Sequence, residues 1–216
     1  GDTLCIFGAP EENLKIIGDI HKKIITEKIK VITIGGEHLI TLPLVKNIVA
    51  QHKTNRPLIV VQFDAHCDLR EDYLGLKYSH ASVMNCILKE TNISNLWQIG
   101  IRSGTREEFQ RRKKDKRITV IDDLTKLSEL LSNASADYYI TIDIDVLDPS
   151  IMAGTGTPEA GGLTYKEFIN ALLLFKDSNI LGVDVVELAP QYDISGNSNV
   201  LVAKLIRELI LLLSNK

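Results

Sequence analysis

The chain has 216 residues, of which 44% are hydrophobic and 25% charged, with a formal net charge of −3. Such a length supports one domain with a sizeable core, so a single domain over 1–216 is expected, and the mildly acidic balance leaves no footprint for a nucleic-acid partner. The most apolar stretch, Val200 to Leu213, carries Lys204, Arg207 and Glu208 and is too short and too charged to cross a bilayer, so no membrane partner is expected.

In chain order, helical spacing covers about Glu11 to Lys28, and a β-branched run follows at Val31 to Ile34. The alternation then repeats: a helix at about Leu39 to Gln51, a strand at Leu58 to Phe63, a helix at Ala81 to Lys89 and a strand at Trp97 to Ile101. A helix at Arg106 to Lys113, a strand at Ile118 to Ile121, a helix at Leu124 to Ser132 and a strand at Tyr138 to Ile144 come next. The chain closes with a helix at Tyr165 to Phe175, a strand at Ile180 to Val186 and a last helix at about Asn199 to Leu213. The short apolar runs read as buried strands, and their alternation with helices indicates right-handed βαβ units on a parallel sheet.

Two helix starts carry capping-box chemistry, Thr105 with Glu108 and Thr164 with Glu167, in which each side chain satisfies a backbone N–H of the first turn. The basic run Arg111-Arg112-Lys113-Lys114, continued by Lys116 and Arg117, is interrupted by acidic neighbours and reads as a solvated helix face. Cys5, Cys67 and Cys86 are odd in number and form no CxxC pattern, and no signal peptide opens the chain, so a reducing, cytoplasmic setting is expected. The Gly-rich passage Gly154 to Gly162, stiffened by Pro158, reads as a long functional loop.

The chemistry sits in three clusters, each following a β-branched run: Gly35-Gly36-Glu37-His38, Asp64-Ala65-His66-Cys67-Asp68 and Asp143-Ile144-Asp145. Ligands of open parallel sheets bind beyond the carboxyl ends of the strands, where all three clusters fall. Alternate side chains of an extended segment share a face, which would bring Asp64, His66 and Asp68 together and turn Cys67 away. Four carboxylates gathered at one point raise one another's pKa and call for cations, and two divalent ions would balance Asp64, Asp68, Asp143 and Asp145. Carboxylate and imidazole donors without thiolate favour manganese, then nickel, iron or cobalt, over a structural zinc site.

The sequence resembles the ureohydrolase family, which contains arginase and agmatinase. The resemblance runs nearly end to end, through GGEH at Gly35 to His38, DAHCDLREDYLG at Asp64 to Gly75, YSHASVM at Tyr78 to Met84, IGIRSG at Ile99 to Gly104, DIDVLDPS at Asp143 to Ser150, GTGTPEAGGLT at Gly154 to Thr164 and DVVELAP at Asp184 to Pro190. It implies an α/β fold of three α/β/α layers and a mainly parallel sheet, assembly as a trimer or hexamer of identical chains, and two manganese ions per subunit. One metal would be held by His38, Asp64, Asp68 and Asp143, the other by Asp64, His66, Asp143 and Asp145, with a shared water made nucleophilic towards a guanidinium carbon. Glu187 would bind the guanidinium, His80 would shuttle the proton, and Asp68 would act beside them as both ligand and catalytic group.

Within the resemblance, the loop Leu69-Arg70-Glu71-Asp72-Tyr73-Leu74-Gly75 lacks the polar Asn and Ser/Thr pattern of arginases and is similar to agmatinases. The implied reaction is hydrolysis of agmatine to putrescine and urea, with Glu71, Asp72 and Glu159 as an acidic mouth for the far cation. A carboxylate-ended guanidino substrate could instead use Arg70 or Arg102. A non-catalytic metal-binding scaffold is the rival reading, weakened by Glu187 and His80, which metal binding alone would not need. Family members carry a first strand before the position of Gly1-Asp2, so a sheet without that strand is expected. Ala153 and Ser198-Asn199 also depart from the family's usual residues.

Overall fold

The computed structural model describes residues 1–214. Six strands form one sheet: β1 (Ile32–Ile34), β2 (Leu58–Phe63), β3 (Asn95–Ile99), β4 (Ile118–Ile121), β5 (Asp137–Asp143) and β6 (Asn179–Val186). Their order is β1-β6-β5-β2-β3-β4, and every pairing is parallel. The helices are α1 (Pro10–Thr26), α2 (Thr41–Gln51), α3 (Val83–Glu90), α4 (Arg106–Lys114), α5 (Leu124–Asn133), α6 (Tyr165–Leu173) and α7 (Asn197–Ser214). No helix among the described residues is long and apolar enough to cross a membrane.

Strand alternation divides the core into two halves. Ile59, Val61, Phe63, Tyr138, Ile140 and Ile142 face α5, α6 and α7, through Leu127, Phe168, Leu172, Val202 and Leu205. Val60, Leu58, Leu96 and Tyr139 face the other way, onto Ile25 of α1, Leu44 and Val45 of α2, and Met84 and Ile87 of α3. Every residue of β2 and β5 is buried, as expected of strands covered on both faces. The result is the three-layer α/β/α arrangement.

Chain direction fixes where a site can form. From β2 the chain proceeds outward to β3 and β4, whereas from β5 it proceeds to β6 on the opposite side. The loops leaving β2 and β5 therefore diverge and open a crevice at the carboxyl ends of two adjacent central strands, the switch point at which such sheets bind ligands.

The element boundaries differ from the sequence expectation where the loops tighten. The third strand lies at Asn95–Ile99 instead of Trp97 to Ile101, because Gly100, at φ +88°, passes so close to Val146 that a Cβ there would meet Val146 Cγ2 at 2.6 Å. The second and third helices start at Thr41 and Val83 instead of Leu39 and Ala81, because a 3₁₀ turn precedes each, His38–Ile40 and His80–Ser82, with a histidine at its head. Both predicted capping boxes form.

Candidate metal centre and active site

The three sequence clusters meet at the crevice, but strand alternation is not what brings them there. Strand β2 ends at Phe63 and β5 at Asp143, so Asp64 to Asp68 form an irregular loop and Asp145 sits on a 3₁₀ turn, Ile144–Val146. The loop is pinned by backbone bonds: Asp64 N–H donates to Ile99 O, Cys67 N–H to Ser103 O, and Asp68 O accepts from Met84 N at 3.0 Å and Asn85 N at 3.1 Å. Asp68 adopts φ +53° and Glu187 φ +66°, a left-handed conformation that side-chain-bearing residues rarely hold and that clusters at functional sites. Cys67 does turn away: its Sγ packs into the core against Gly104, and burial pushes its thiol up to about 12.

Around the imidazole of His38, Nδ1 lies 3.1 Å from Asp64 Oδ2, 3.1 Å from Asp68 Oδ2 and 3.5 Å from Asp143 Oδ2. Despite that crowd it makes no well-directed hydrogen bond and is completely buried. On the other side of Asp64, His66 Nδ1 lies 2.9 Å from Asp145 Oδ2 and 3.6 Å from Asp64 Oδ1. Two groups of donor atoms, His38 with Asp64 and Asp68, and Asp64 with His66 and Asp145, each fall within 4.8 Å of one another and share Asp64. Asp143 stands beside both groups and accepts the Asp145 N–H at 2.9 Å.

The electrostatics of these groups are those of a site short of positive charge. Burial, together with the neighbouring charge of Asp64, lifts Asp68 to about 7; burial and the charges of Asp145 and Asp64 push Asp143 well above the carboxylate range. Asp145 rises for the same reasons, burial first and then Asp64. Asp64 goes the other way, because contacts to His38 and His66 outweigh its burial. The imidazoles answer in kind: burial would lower both, yet the surrounding carboxylates raise His38 well above its ordinary value and His66 to about 11. Protonated histidines supply the cations that the carboxylates demand, and divalent metals fit the same need with a better-matched donor set.

A second layer of buried groups, for which the sequence reading assigned no role, orients the first. His38 Nε2 lies 2.9 Å from Thr141 Oγ1, Thr141 donates to Asp184 Oδ1 at 2.6 Å, and Tyr139 OH donates to Asp184 Oδ2 at 2.7 Å. Because the Thr141 proton is directed to Asp184, Thr141 accepts from His38 Nε2–H; in the neutral imidazole that a metal would bind, this puts the lone pair on Nδ1, facing the carboxylates. Asp64 is held by a longer relay: Arg112 Nε donates to Gln98 Oε1 (2.7 Å), Gln98 Nε2 to Gln62 Oε1 (2.6 Å), and Gln62 Nε2 to Asp64 Oδ2 (2.8 Å). Arginine can only donate, so the direction of both amides is fixed. This corrects the reading of the basic run as a solvated face: Arg112 is 8% exposed, and Arg111 Nη1 donates to Asn85 Oδ1 at 2.7 Å. A glutamine inside the apolar run Leu58 to Phe63 was the available signal.

Above the cluster lies a cavity of about 240 Å³ whose wall includes Asp68, Asp143, Glu187, His80, Arg70 and Tyr73. Glu187 follows β6, accepts the His38 N–H at 2.7 Å, and is raised by burial. His80 is fixed by Glu37 and by the edge of the Tyr73 ring, 5.2 Å away between centroids. Arg70 lies over the Tyr73 ring at 5.1 Å and 3.5 Å from Glu108 Oε2.

The expected acidic mouth is not built from the residues anticipated. Glu71 pairs with Lys89, Asp72 caps the turn at Gly75 N, and Glu159 Oε1 accepts from Ser103 Oγ; none of them lines the cavity. Arg102 is likewise spent, its guanidinium donating to the carbonyls of Asp145, Glu159 and Ala160. Ser198 serves the loop it departs beside: its Oγ accepts the Gly154 N–H at 2.9 Å and donates to Asp193, where a Cβ on Gly154 would meet Ser198 Cβ at 2.7 Å.

Known proteins resemble this chain in sequence and in fold. An agmatinase from Halalkalibacterium halodurans is 39% identical over 215 residues, covering 98% of this chain and 73% of its own length, and one from Bacillus cereus is 38% identical over the same shares. The crystal structure of a candidate agmatinase from Clostridium difficile superimposes with a TM-score of 0.91 at 40% identity, over 100% of this chain and 78% of that one. The family model described as the arginase family matches residues 1–212, so the chain belongs to the arginase family, whose members are built around a binuclear metal centre.

Proposed function

We propose that the protein hydrolyses agmatine to putrescine and urea at a binuclear manganese centre held by His38, Asp64, Asp68 and Asp143 on one side and by Asp64, His66, Asp143 and Asp145 on the other. The observation that carries this reading is that one cavity is lined by the carboxylates Asp68 and Asp143 and also by Glu187 and His80, so a guanidinium-binding group and a proton carrier share a space with the proposed ligands. The agmatinase relatives support the substrate. Two divalent cations would supply Lewis acidity and lower the pKa of a water to near neutrality.

The chain's own groups do the rest. Glu187 takes the guanidinium through its carboxylate, a planar match of opposite charge, while the His38 N–H on Oε1 fixes its orientation. His80 presents its ring at the cavity wall and gives a proton to the departing amine. Asp68, both ligand and wall residue, holds negative charge against the bound cation. The crowding of carboxylates favours manganese, with nickel, iron or cobalt as substitutes.

A second reading, hydrolysis of a guanidino acid such as guanidinobutyrate, is favoured by one observation: Arg70 is among the residues that line the cavity. Urea release measured side by side from agmatine, arginine and guanidinobutyrate decides between them. Agmatine is expected to be turned over fastest; preference for guanidinobutyrate, abolished in Arg70→Ala, would establish the second reading, and no urea from any of the three with two metals bound would overturn both. We further infer a cytoplasmic homo-oligomer, a trimer or hexamer. The three unpaired cysteines and the exposed Ile34, Leu74, Ile194 and Val200 support it, and sedimentation of the metal-loaded protein tests the assembly.

A further inference from the structure

Glu37 has no part in the proposed metal shells, yet it sits between two of the groups that matter most. Its backbone leads directly into His38, and its side chain reaches across to the 3₁₀ turn headed by His80. There a single oxygen, Oε1, accepts the His80 backbone N–H at 2.7 Å and lies 3.0 Å from His80 Nδ1. A carboxylate can only accept, so Nδ1 must carry the proton. The Tyr73 ring packs against the imidazole in a T-shaped arrangement, with centroids 5.2 Å apart.

We propose that Glu37 is a positioning residue that locks His80 in one ring orientation with Nδ1 protonated, so that Nε2 is the nitrogen that exchanges protons with the substrate. This deepens the proposed hydrolysis and rests on the reading of His80 as proton carrier. Without the lock, the ring of a half-exposed histidine samples both tautomers and several rotamers, and only one presents Nε2 to the cavity. The same four residues, Gly35 to His38, thereby serve three tasks. Gly36 O accepts the Glu187 N–H at 2.9 Å, the His38 N–H fixes Glu187 Oε1, and Glu37 holds His80.

The test combines kinetics with a direct view of the ring. Glu37→Ala is expected to lower kcat for urea release by about 10- to 100-fold with KM changed less than about threefold, and Glu37→Gln, whose Oε1 can accept both bonds, is expected to recover most of the loss. In the background of His80→Ala, Glu37→Ala should cost nothing more, because residues acting through one another are not additive. Imidazole nitrogen resonances of the metal-free full chain, assigned by loss of the His80 signal in His80→Ala, should report Nδ1–H in the wild type and loss of that tautomer in Glu37→Ala.

An unchanged His80 tautomer in Glu37→Ala overturns the proposal, as does a full kcat penalty from Glu37→Ala when His80 is already absent. A manganese affinity that falls in step with kcat would also overturn it, by moving the role of Glu37 to the metal. Wild-type urea release from His80→Ala would instead remove the proton-carrier reading on which the proposal rests, an outcome distinct from the other three.

Discussion

Strand β5 begins and ends on a buried carboxylate, Asp137 at 1% exposure and Asp143 at 4%, and their surroundings are opposite. Asp137 is ringed by donors: Asn179 Nδ2 at 3.0 Å, His52 Nε2 at 2.9 Å, Thr54 Oγ1 at 3.0 Å and Arg56 Nε at 2.9 Å. Burial would raise it, but those partners outweigh burial and hold it below the usual carboxylate range. Asp143, six residues on, meets the charges of Asp145 and Asp64 with one backbone N–H and one shared imidazole for relief, and burial with those charges drives it well above that range. A carboxylate satisfied by protein donors is structure; one left among its own kind marks a place for cations.

The sharpest way to break this contrast is to remove Asp143. Asp143→Ala is expected to abolish tight binding of two manganese ions, as counted by metal analysis, and to reduce urea release by at least about a thousandfold, since several kcal/mol of charge stabilisation depend on the metals. A variant that keeps both metals and wild-type turnover would disprove the proposed place of Asp143 in both ligand sets.

Removing the metals themselves comes next. A ligand present at 100 to 1,000 times its dissociation constant stabilises the folded state by about 3–4 kcal/mol, which for a chain of this size corresponds to a fall of roughly 6–15 °C in Tm on chelation. The loss should be reversed by added manganese and be absent in Asp143→Ala. Equal melting curves with and without chelator would mean that protonated histidines balance the cluster as well as metal does.

At the opposite end, Asp137→Asn should reduce stability by about 2–3 kcal/mol, the range for buried hydrogen bonds to a charged group, while leaving urea release per folded molecule unchanged. Its pH dependence has a definite sign. The folded-state pKa of Asp137 is depressed, so its contribution is fully present above the unfolded carboxylate value of about 3.9 and is lost as pH falls below it. The difference between wild type and Asp137→Asn in urea unfolding should therefore shrink in acid; a constant difference would contradict the account.

How much of this contrast the sequence carried depends on distance along the chain. The His/Asp cluster proposed to hold the metals was legible as a cluster because its residues come in short motifs at strand ends, where topology alone brings them together. The parallel sheet was legible from the run-and-helix alternation for the same reason. The partners of Asp137, spread from His52 to Asn179, carry no motif; Thr141 carries none either, and Asp184, although it opens DVVELAP, shows its link to His38 through Thr141 only once the strands are in register. Arg112 was misread because charge patterning treats a basic run as one face, whereas the helix turns one guanidinium inward to Gln98. The acidic mouth failed similarly: Glu71, Asp72 and Glu159 lie near the right loops but point to nearer partners.

The relay from Arg112 gives the finest test of the comparison, because it is a donor network of the Asp137 kind placed against a proposed metal ligand of the Asp143 kind. Gln62 Nε2 donates to Asp64 Oδ2 at 2.8 Å, and the proposed place of Asp64 in both ligand sets leaves that carboxylate little freedom to reorient. Gln62→Leu keeps the volume and removes the donor, leaving Gln98 Nε2 to bond Cys67 O alone. Manganese affinity should fall about tenfold, at the low end for loss of a group that orients a metal ligand, with a smaller effect on the chelated protein's stability than Asp137→Asn has. If the ordering reversed, so that Gln62→Leu cost stability and not metal affinity, the relay would belong with Asp137 as structure, and Asp64 would be held by the metals alone.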